Sequence, residues 1–240
     1  AIDRDELRLL YQPKFHAPAG PVIGFEALLR WQHPKQGLLP PDLFLPLAEK
    51  TGLIIPIGNW VIDEACRQLR EWHLQGHTDW SMAVNLSTLQ FEQPSLVKTV
   101  LDCLTRHSVP PGMLILEVTE TTAMSNPDES VRVLTALTDA GVKASIDDFG
   151  TGYSSLLYLK RLPACELKID RAFVKELSGE SEDATIVSAI IALAKTLNLK
   201  VVAEGVETAA QQTFLTELGC NTLQGYLLGK PITAQAIMEQ

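Results

Sequence analysis

KASIDDFGTGYSS (residues 143–155) runs from a short apolar stretch into two adjacent carboxylates, Asp147 and Asp148, and then into a glycine-rich turn. A strand that ends on ionisable groups and is followed by a loop and a helix is one βα unit, and this pattern recurs along the chain. Short β-branched or apolar runs are read at 10–15, 22–31, 81–86, 114–118, 143–147, 166–169, 200–203 and 222–224. Helical patterns fall between and after them, at 41–50, 57–75, 94–107, 127–140, 155–161, 183–198, 208–218 and 233–239. Pro127 stands at a first helical position, Thr208 is a helix cap, and Gly141 and Gly219 are placed to end helices. Eight strands alternating with helices predict an α/β fold, a TIM-type (β/α)8 barrel. The opening is irregular, because only residues 16–21 separate the first two runs. A parallel crossover needs about a dozen residues or more, so these two strands should pair antiparallel. The expected fold is therefore a barrel with one reversed strand near the N-terminus. The Pro-rich stretches 33–41 and 109–112 are read as loops between elements.

Composition narrows the function classes. The 240 residues are 46% hydrophobic and 20% charged, enough apolar content for a sizeable core. Stretches free of Asp, Glu, Lys and Arg, such as 51–62, stop at 12 residues, too short for a membrane span. The opening AIDRDELRLL carries five charges and is not a signal peptide. A net charge of −9 argues against a nucleic-acid polymer as partner. The scattered cysteines Cys66, Cys103, Cys165 and Cys220 are read as reduced thiols of a cytoplasmic protein.

In such a barrel, reactive groups sit at the C-terminal ends of the strands. Glu26 lies within 22–31, Asn85 ends MAVN, Glu117 ends LILE, and Asp147 and Asp148 end SIDD. Lys168 lies in ELKID, Glu204 ends KVVAE, and Gln224 ends TLQ. Five carboxylates converging on one mouth need more counter-charge than a single lysine supplies. Hard divalent cations with oxygen ligands, Mg²⁺ or Mn²⁺, are the natural answer. The five histidines are read as lying in loops or helices, none at a strand exit, and no zinc spacing is present. A carboxylate of the Asp147-Asp148 pair can bridge two ions about 3.5–4 Å apart, as two-metal phosphodiester hydrolysis requires. Gly150 and Gly152 would let the next loop approach a phosphate or move as a lid.

These motifs together resemble the EAL domain, the bacterial cyclic di-GMP phosphodiesterase domain. The match includes YQP at 11–13, EALLRW at 26–31, VNLS at 84–87, EVTE at 117–120 and DDFGTGYSSL at 147–156. LKIDR at 167–171, VVAEGVET at 201–208 and QGY at 224–226 continue it. The resemblance implies one EAL-type domain over 1–240, part of a longer multidomain protein. It implies hydrolysis of cyclic di-GMP to linear pGpG with two Mg²⁺ or Mn²⁺ ions, Ca²⁺ being inhibitory. It casts Glu26, Asn85, Glu117 and Asp147 as ligands of one metal, with Asp147 and Asp148 holding the second. Glu204 becomes a water or metal ligand and general base, and Lys168 the group that orients the attacking water. Arg30 is implied as a phosphate contact, and Gln12, Leu28, Gln224 and Asp170 as substrate-facing or supporting residues. Glu120 would anchor the DDFGTG loop, with Glu207 as a supporting partner. A homodimer and a fused sensor or GGDEF domain are further implied, with no membrane contact from this segment. Departures are Ala172, where Ser is common after LKIDR, and Thr121-Thr122 after EVTE.

Two other readings remain open at this stage. Some family members bind cyclic di-GMP without cleaving it and pass the signal on, though usually with an altered ligand or loop. A lone barrel lysine can also form a Schiff base, but carboxylates around Lys168 would keep it protonated and poorly nucleophilic.

Overall fold

In the computed structural model, residues 1–18, 20–151, 156–177 and 181–239 are described. Among the described residues nine strands form one sheet: β1 (Leu7–His16), β2 (Val22–His33), β3 (Gly37–Leu39), β4 (Ser81–Leu86), β5 (Leu114–Thr119), β6 (Lys143–Phe149), β7 (Glu166–Ile169), β8 (Lys200–Ala203) and β9 (Thr222–Leu223). The order is β1-β9-β8-β7-β6-β5-β4-β2-β3, and an added β1–β2 pairing closes eight strands into a barrel. β1 is antiparallel to both neighbours, β2 and β9, whereas β2 and β4 to β9 run parallel. The reversed strand follows from the short link argued above.

The outer face of the barrel is covered by helices, chiefly Ile54–Leu74, Leu96–His107, Pro127–Asp139, Glu182–Thr196 and Ala209–Glu217. Met82, Val84, Leu114, Leu116, Ile146 and Leu167 fill the layer between, all fully buried. Fully burying each such side chain contributes about 1.5–3 kcal/mol, which is why the strands read as apolar runs. The start and stop signals act as expected. Pro127 opens its helix, Thr208 and Gln211 form a capping box, and Gly141 and Gly219 take positive φ past helix ends.

The stretch 33–41 is not a plain loop. Gly37–Leu39 pairs antiparallel with Trp31–His33, extending β2 beyond the barrel into a hairpin. His33 therefore ends a strand, as His16 ends β1, contrary to the reading that no histidine does. The Nδ1 of His33 accepts from the backbone N–H groups of Lys35 and Gln36, both at 3.2 Å, so it closes a turn. The helix read at 94–107 starts at Leu96 and is preceded by a separate turn of helix, Thr88–Phe91. Of the helix read at 155–161 only Leu156–Leu159 is helical among the described residues. Gly152 and the rest of 152–155 lie outside the described residues. Among those described, no helix is long and apolar enough to cross a membrane.

Candidate active site

The direction of each site residue is set by its strand neighbour. Tyr11 and Phe25 point outward and pack on Trp72 of the helix Ile54–Leu74, with ring centroids 5.0 and 4.7 Å away. Adjacent strand residues face opposite sides, so Gln12 and Glu26, which pair in register, turn into the barrel. The same alternation turns Asn85, Glu117, Asp147 and Lys168 inward beside buried Val84, Leu116, Ile146 and Leu167.

Lys168 is the hub. Its ammonium lies 2.7 Å from Glu117 Oε2, 2.7 Å from Glu204 Oε1, 3.0 Å from Asp147 Oδ2 and 3.9 Å from Glu26 Oε2. Burial opposes its charge, but Glu117, Glu204, Glu26 and Asp147 outweigh burial and hold its pKa well above the ordinary lysine value. It stays an ammonium, which removes the nucleophilic amine a Schiff base requires. Glu26 is fixed by two amides: Asn85 Nδ2 donates to Oε1 at 2.7 Å and Gln224 Nε2 to Oε2 at 2.6 Å. Gln224 also donates to Gln12 Oε1 at 3.3 Å, and Gln12 Nε2 donates to the Gly229 carbonyl at 3.1 Å.

The Asp147-Asp148 pair sits where the β6–β7 register breaks, between Ile146 and Phe149. Asp148 takes φ 53°, a left-handed conformation that costs a non-glycine residue about 1–3 kcal/mol. The turn brings Asp147, Asp148 and Glu204 together, one carboxylate oxygen from each lying within 4.8 Å of the others. The first Asp147 oxygen accepts from the Asp148 N–H at 2.9 Å and the second from Lys168. Glu120 Oε2 accepts from the Gly150 N–H at 2.8 Å and so ties down the start of the following loop.

The donor set fits hard divalent cations. It offers oxygen from Glu26, Asn85, Glu117, Asp147, Asp148 and Glu204, and buried Gln224 Oε1 has no hydrogen-bond partner among the described residues. Deeper in the barrel Lys14 pairs with Glu166 at 2.9 Å. Two buried lysines thus face a larger number of carboxylates, an excess of negative charge that divalent cations would offset. Protons take up part of the excess instead. Burial pushes Glu204 up to about 7, against the pull of Lys168. Burial and then Asp147 raise Asp148 to about 6. Below those values the groups are protonated and a cation must displace the proton; above them they are bare. Burial also raises the Glu117 carboxyl well above the ordinary carboxylate range, so affinity for Mn²⁺ is expected to rise with pH, gaining roughly 10²-fold or more from about pH 5 to about pH 8. Calorimetric titration of Mn²⁺ across that range checks this; a flat affinity contradicts it.

Above this floor opens a cleft of about 640 Å³, within the usual range for small-ligand sites. Gln12, Glu26, Leu28, Arg30, Asn85, Asp147, Asp148, Asp170, Glu204, Glu207 and Gln224 line it. Glu117 and Lys168 lie beneath, and Glu120 stands behind. Arg30 Nη1 donates to the Leu29 carbonyl at 2.8 Å. Asp170 caps the helix Arg171–Lys175 by accepting from the Ala172 N–H at 2.7 Å. Glu207 is on the exposed rim, its own N–H held by Gln211 at 2.8 Å. Sequence reasoning gave no role to Lys14, Glu166 or Tyr226. Tyr226 is exposed on the rim with Lys230 Nζ 5.6 Å from its ring centroid. The signal for Lys14 and Glu166 was parity: each lies two residues from an inward-facing site residue, Gln12 or Lys168.

A family model described as EAL domain matches residues 1–231. The chain is 64% identical over 238 residues to the bifunctional diguanylate cyclase/cyclic di-GMP phosphodiesterase MucR of Pseudomonas aeruginosa, covering 99% of this chain and 35% of that protein. It is 47% identical over 239 residues to the cyclic di-GMP phosphodiesterase NbdA of the same organism, covering 100% of this chain and 30% of that protein. The chain thus spans about a third of the length of these curated relatives. Among solved structures, the PaMucR phosphodiesterase in complex with c-di-GMP superposes with a TM-score of 0.97, at 64% identity, covering 99% of this chain and 96% of that one. The EAL enzyme Bd1971, in its cAMP and cyclic-di-GMP bound form, gives a TM-score of 0.93 at 34% identity, covering 99% and 65%.

Proposed function

The chain belongs to the EAL domain family, and from that premise we propose that it hydrolyses one phosphodiester bond of cyclic di-GMP, yielding linear pGpG with the help of two Mg²⁺ or Mn²⁺ ions. The observation that carries this reading is the oxygen-rich, net-negative ring around Lys168, opening into a cleft of nucleotide size. Glu26, Asn85, Glu117 and Asp147 would hold one ion, and Asp147 and Asp148 the other. When bound, such ions lower the pKa of water and stabilise charge on the attacking and leaving oxygens.

The chain's own groups do the rest. Glu204, with its carboxyl raised to about 7, is matched to accept a proton from the attacking water near neutral pH. The Lys168 ammonium, a compact charge with three donors, orients that water and offsets charge building on the phosphoryl oxygens. Arg30 presents a planar fork suited to a non-bridging phosphate pair. The amides of Asn85 and Gln224 keep Glu26 in one orientation, so the ligand ring is arranged before substrate arrives. Glu120, by accepting from the Gly150 N–H, holds the start of the loop after Asp148.

Chromatography of cyclic di-GMP incubated with the chain tests the reading. With Mg²⁺ or Mn²⁺, pGpG is expected; with chelator, none; with Ca²⁺, binding but little turnover, since its looser coordination suits in-line chemistry poorly. Tight binding with no pGpG under any divalent ion would overturn hydrolysis and leave a cyclic di-GMP receptor. We also propose a homodimer, tested by its mass in solution with and without cyclic di-GMP; a monomer of full activity removes it.

A further inference from the structure

Lys14 is 2% exposed, and its ammonium stands 2.9 Å from Glu166 Oε1 and 3.6 Å from Glu117 Oε1. In register, Glu117 lies opposite Ser145 and Ser145 opposite Glu166, so the three form one row across neighbouring strands β5, β6 and β7, and neither Glu117 nor Glu166 lines the cleft. Resting on the two-cation reading above, we propose that Lys14 and Glu166 are positioning residues that fix the Glu117 carboxylate for its cation.

Three observations support this. First, a buried ion pair is no more stabilising than a well-packed apolar pair, and the barrel interior accepts apolar side chains at buried Ala83, Ile115 and Val202. Stability alone gives no reason for two charges there. Second, Glu117 Oε2 is taken by Lys168 at 2.7 Å, whereas Oε1 accepts no hydrogen bond among the described residues. Lys14 is the ammonium that faces that second oxygen. With one ammonium 2.7 Å from Oε2 and the other 3.6 Å from Oε1, each oxygen faces its own positive charge, which favours this one orientation of the carboxylate. Third, Glu166 cancels the Lys14 charge locally. The pair therefore orients Glu117 without adding net positive charge that would repel a divalent ion. Neither residue lines the cleft, so the effect passes through Glu117 and not through the substrate.

The test compares the wild-type chain with Lys14→Met and the charge-neutral double variant Lys14→Met/Glu166→Leu. Mn²⁺ affinity is read by calorimetry and stability by thermal melting. Removing outer partners of metal ligands typically weakens metal binding about 10–100-fold. The double variant is expected to melt at or above the wild-type temperature, yet to bind Mn²⁺ weaker by that factor, and its turnover should need correspondingly more Mn²⁺. The KM for cyclic di-GMP at saturating Mn²⁺ should not move. A double variant that binds Mn²⁺ as tightly as wild type overturns the inference and leaves a purely structural pair. A wild-type chain that binds no Mn²⁺ at all overturns the parent reading instead.

Discussion

Replacing Asp147 with Asn is expected to lower kcat for cyclic di-GMP cleavage by about 10³-fold or more, beyond what removing a single electrostatic stabiliser usually costs. Asp147 is the meeting point of the site. One of its oxygens is held by Lys168 at 3.0 Å, the other by the Asp148 N–H, and its carboxylate stands with Asp148 and Glu204 in one cluster. In the proposed arrangement it serves both ions, so its loss weakens two ligand sets together. The substitution keeps the size of the side chain, and the outer core next to it, Ile146 and Phe149, is untouched. Turnover should collapse while the melting temperature stays near wild type. Product chromatography and a thermal melt on the same preparation check both halves. Turnover within about tenfold of wild type would be incompatible with a bridging role.

Lys168→Met should have two separable effects. Without divalent ions the chain should lose about 3–5 kcal/mol of stability, the usual consequence of stripping one partner from a buried ionic cluster. Glu26, Asp147 and Glu204 would then face no ammonium, and Glu117 only that of Lys14, 3.6 Å away. Adding Mn²⁺ should restore much of that stability, because cations supply the missing charge. Catalysis should not return with it: kcat is expected to stay about 10²–10³-fold low, since the group that in the proposed mechanism orients water and offsets phosphoryl charge is gone. Denaturant titrations with and without Mn²⁺, alongside the turnover assay, separate the two. Recovery of both by Mn²⁺ would reduce Lys168 to a counter-ion.

The barrel and its mouth were legible in the sequence for one physical reason. A parallel barrel covered by helices buries both strand faces, so its strands are apolar, and a polar residue at the exit stands out against MAVN, LILE or KVVAE. The reversed first strand was equally legible, because chain length between 16 and 21 forbids a crossover. What escaped depends on contacts distant in sequence. Gly37–Leu39 is three residues long and becomes a strand only by pairing with Trp31–His33. The helices Thr88–Phe91, Glu120–Ser125 and Arg171–Lys175 are too short to show a helical period. Ser87, Thr119 and Asp170 start them by accepting backbone N–H bonds just past strand exits. Lys14 and Glu166 are separated by 152 positions and meet only because the barrel closes. A charge inside an apolar strand announces that it needs a partner, but not which one.

In the proposed arrangement Glu26, Asn85, Glu117, Asp147 and Asp148 hold two hard cations at the barrel mouth. Anomalous diffraction from crystals of the chain grown with Mn²⁺ tests that most directly. Two peaks are predicted, both touching Asp147, one among Glu26, Asn85 and Glu117 and the other beside Asp148. Density free of manganese at that ring, or manganese bound only elsewhere on the surface, would contradict it.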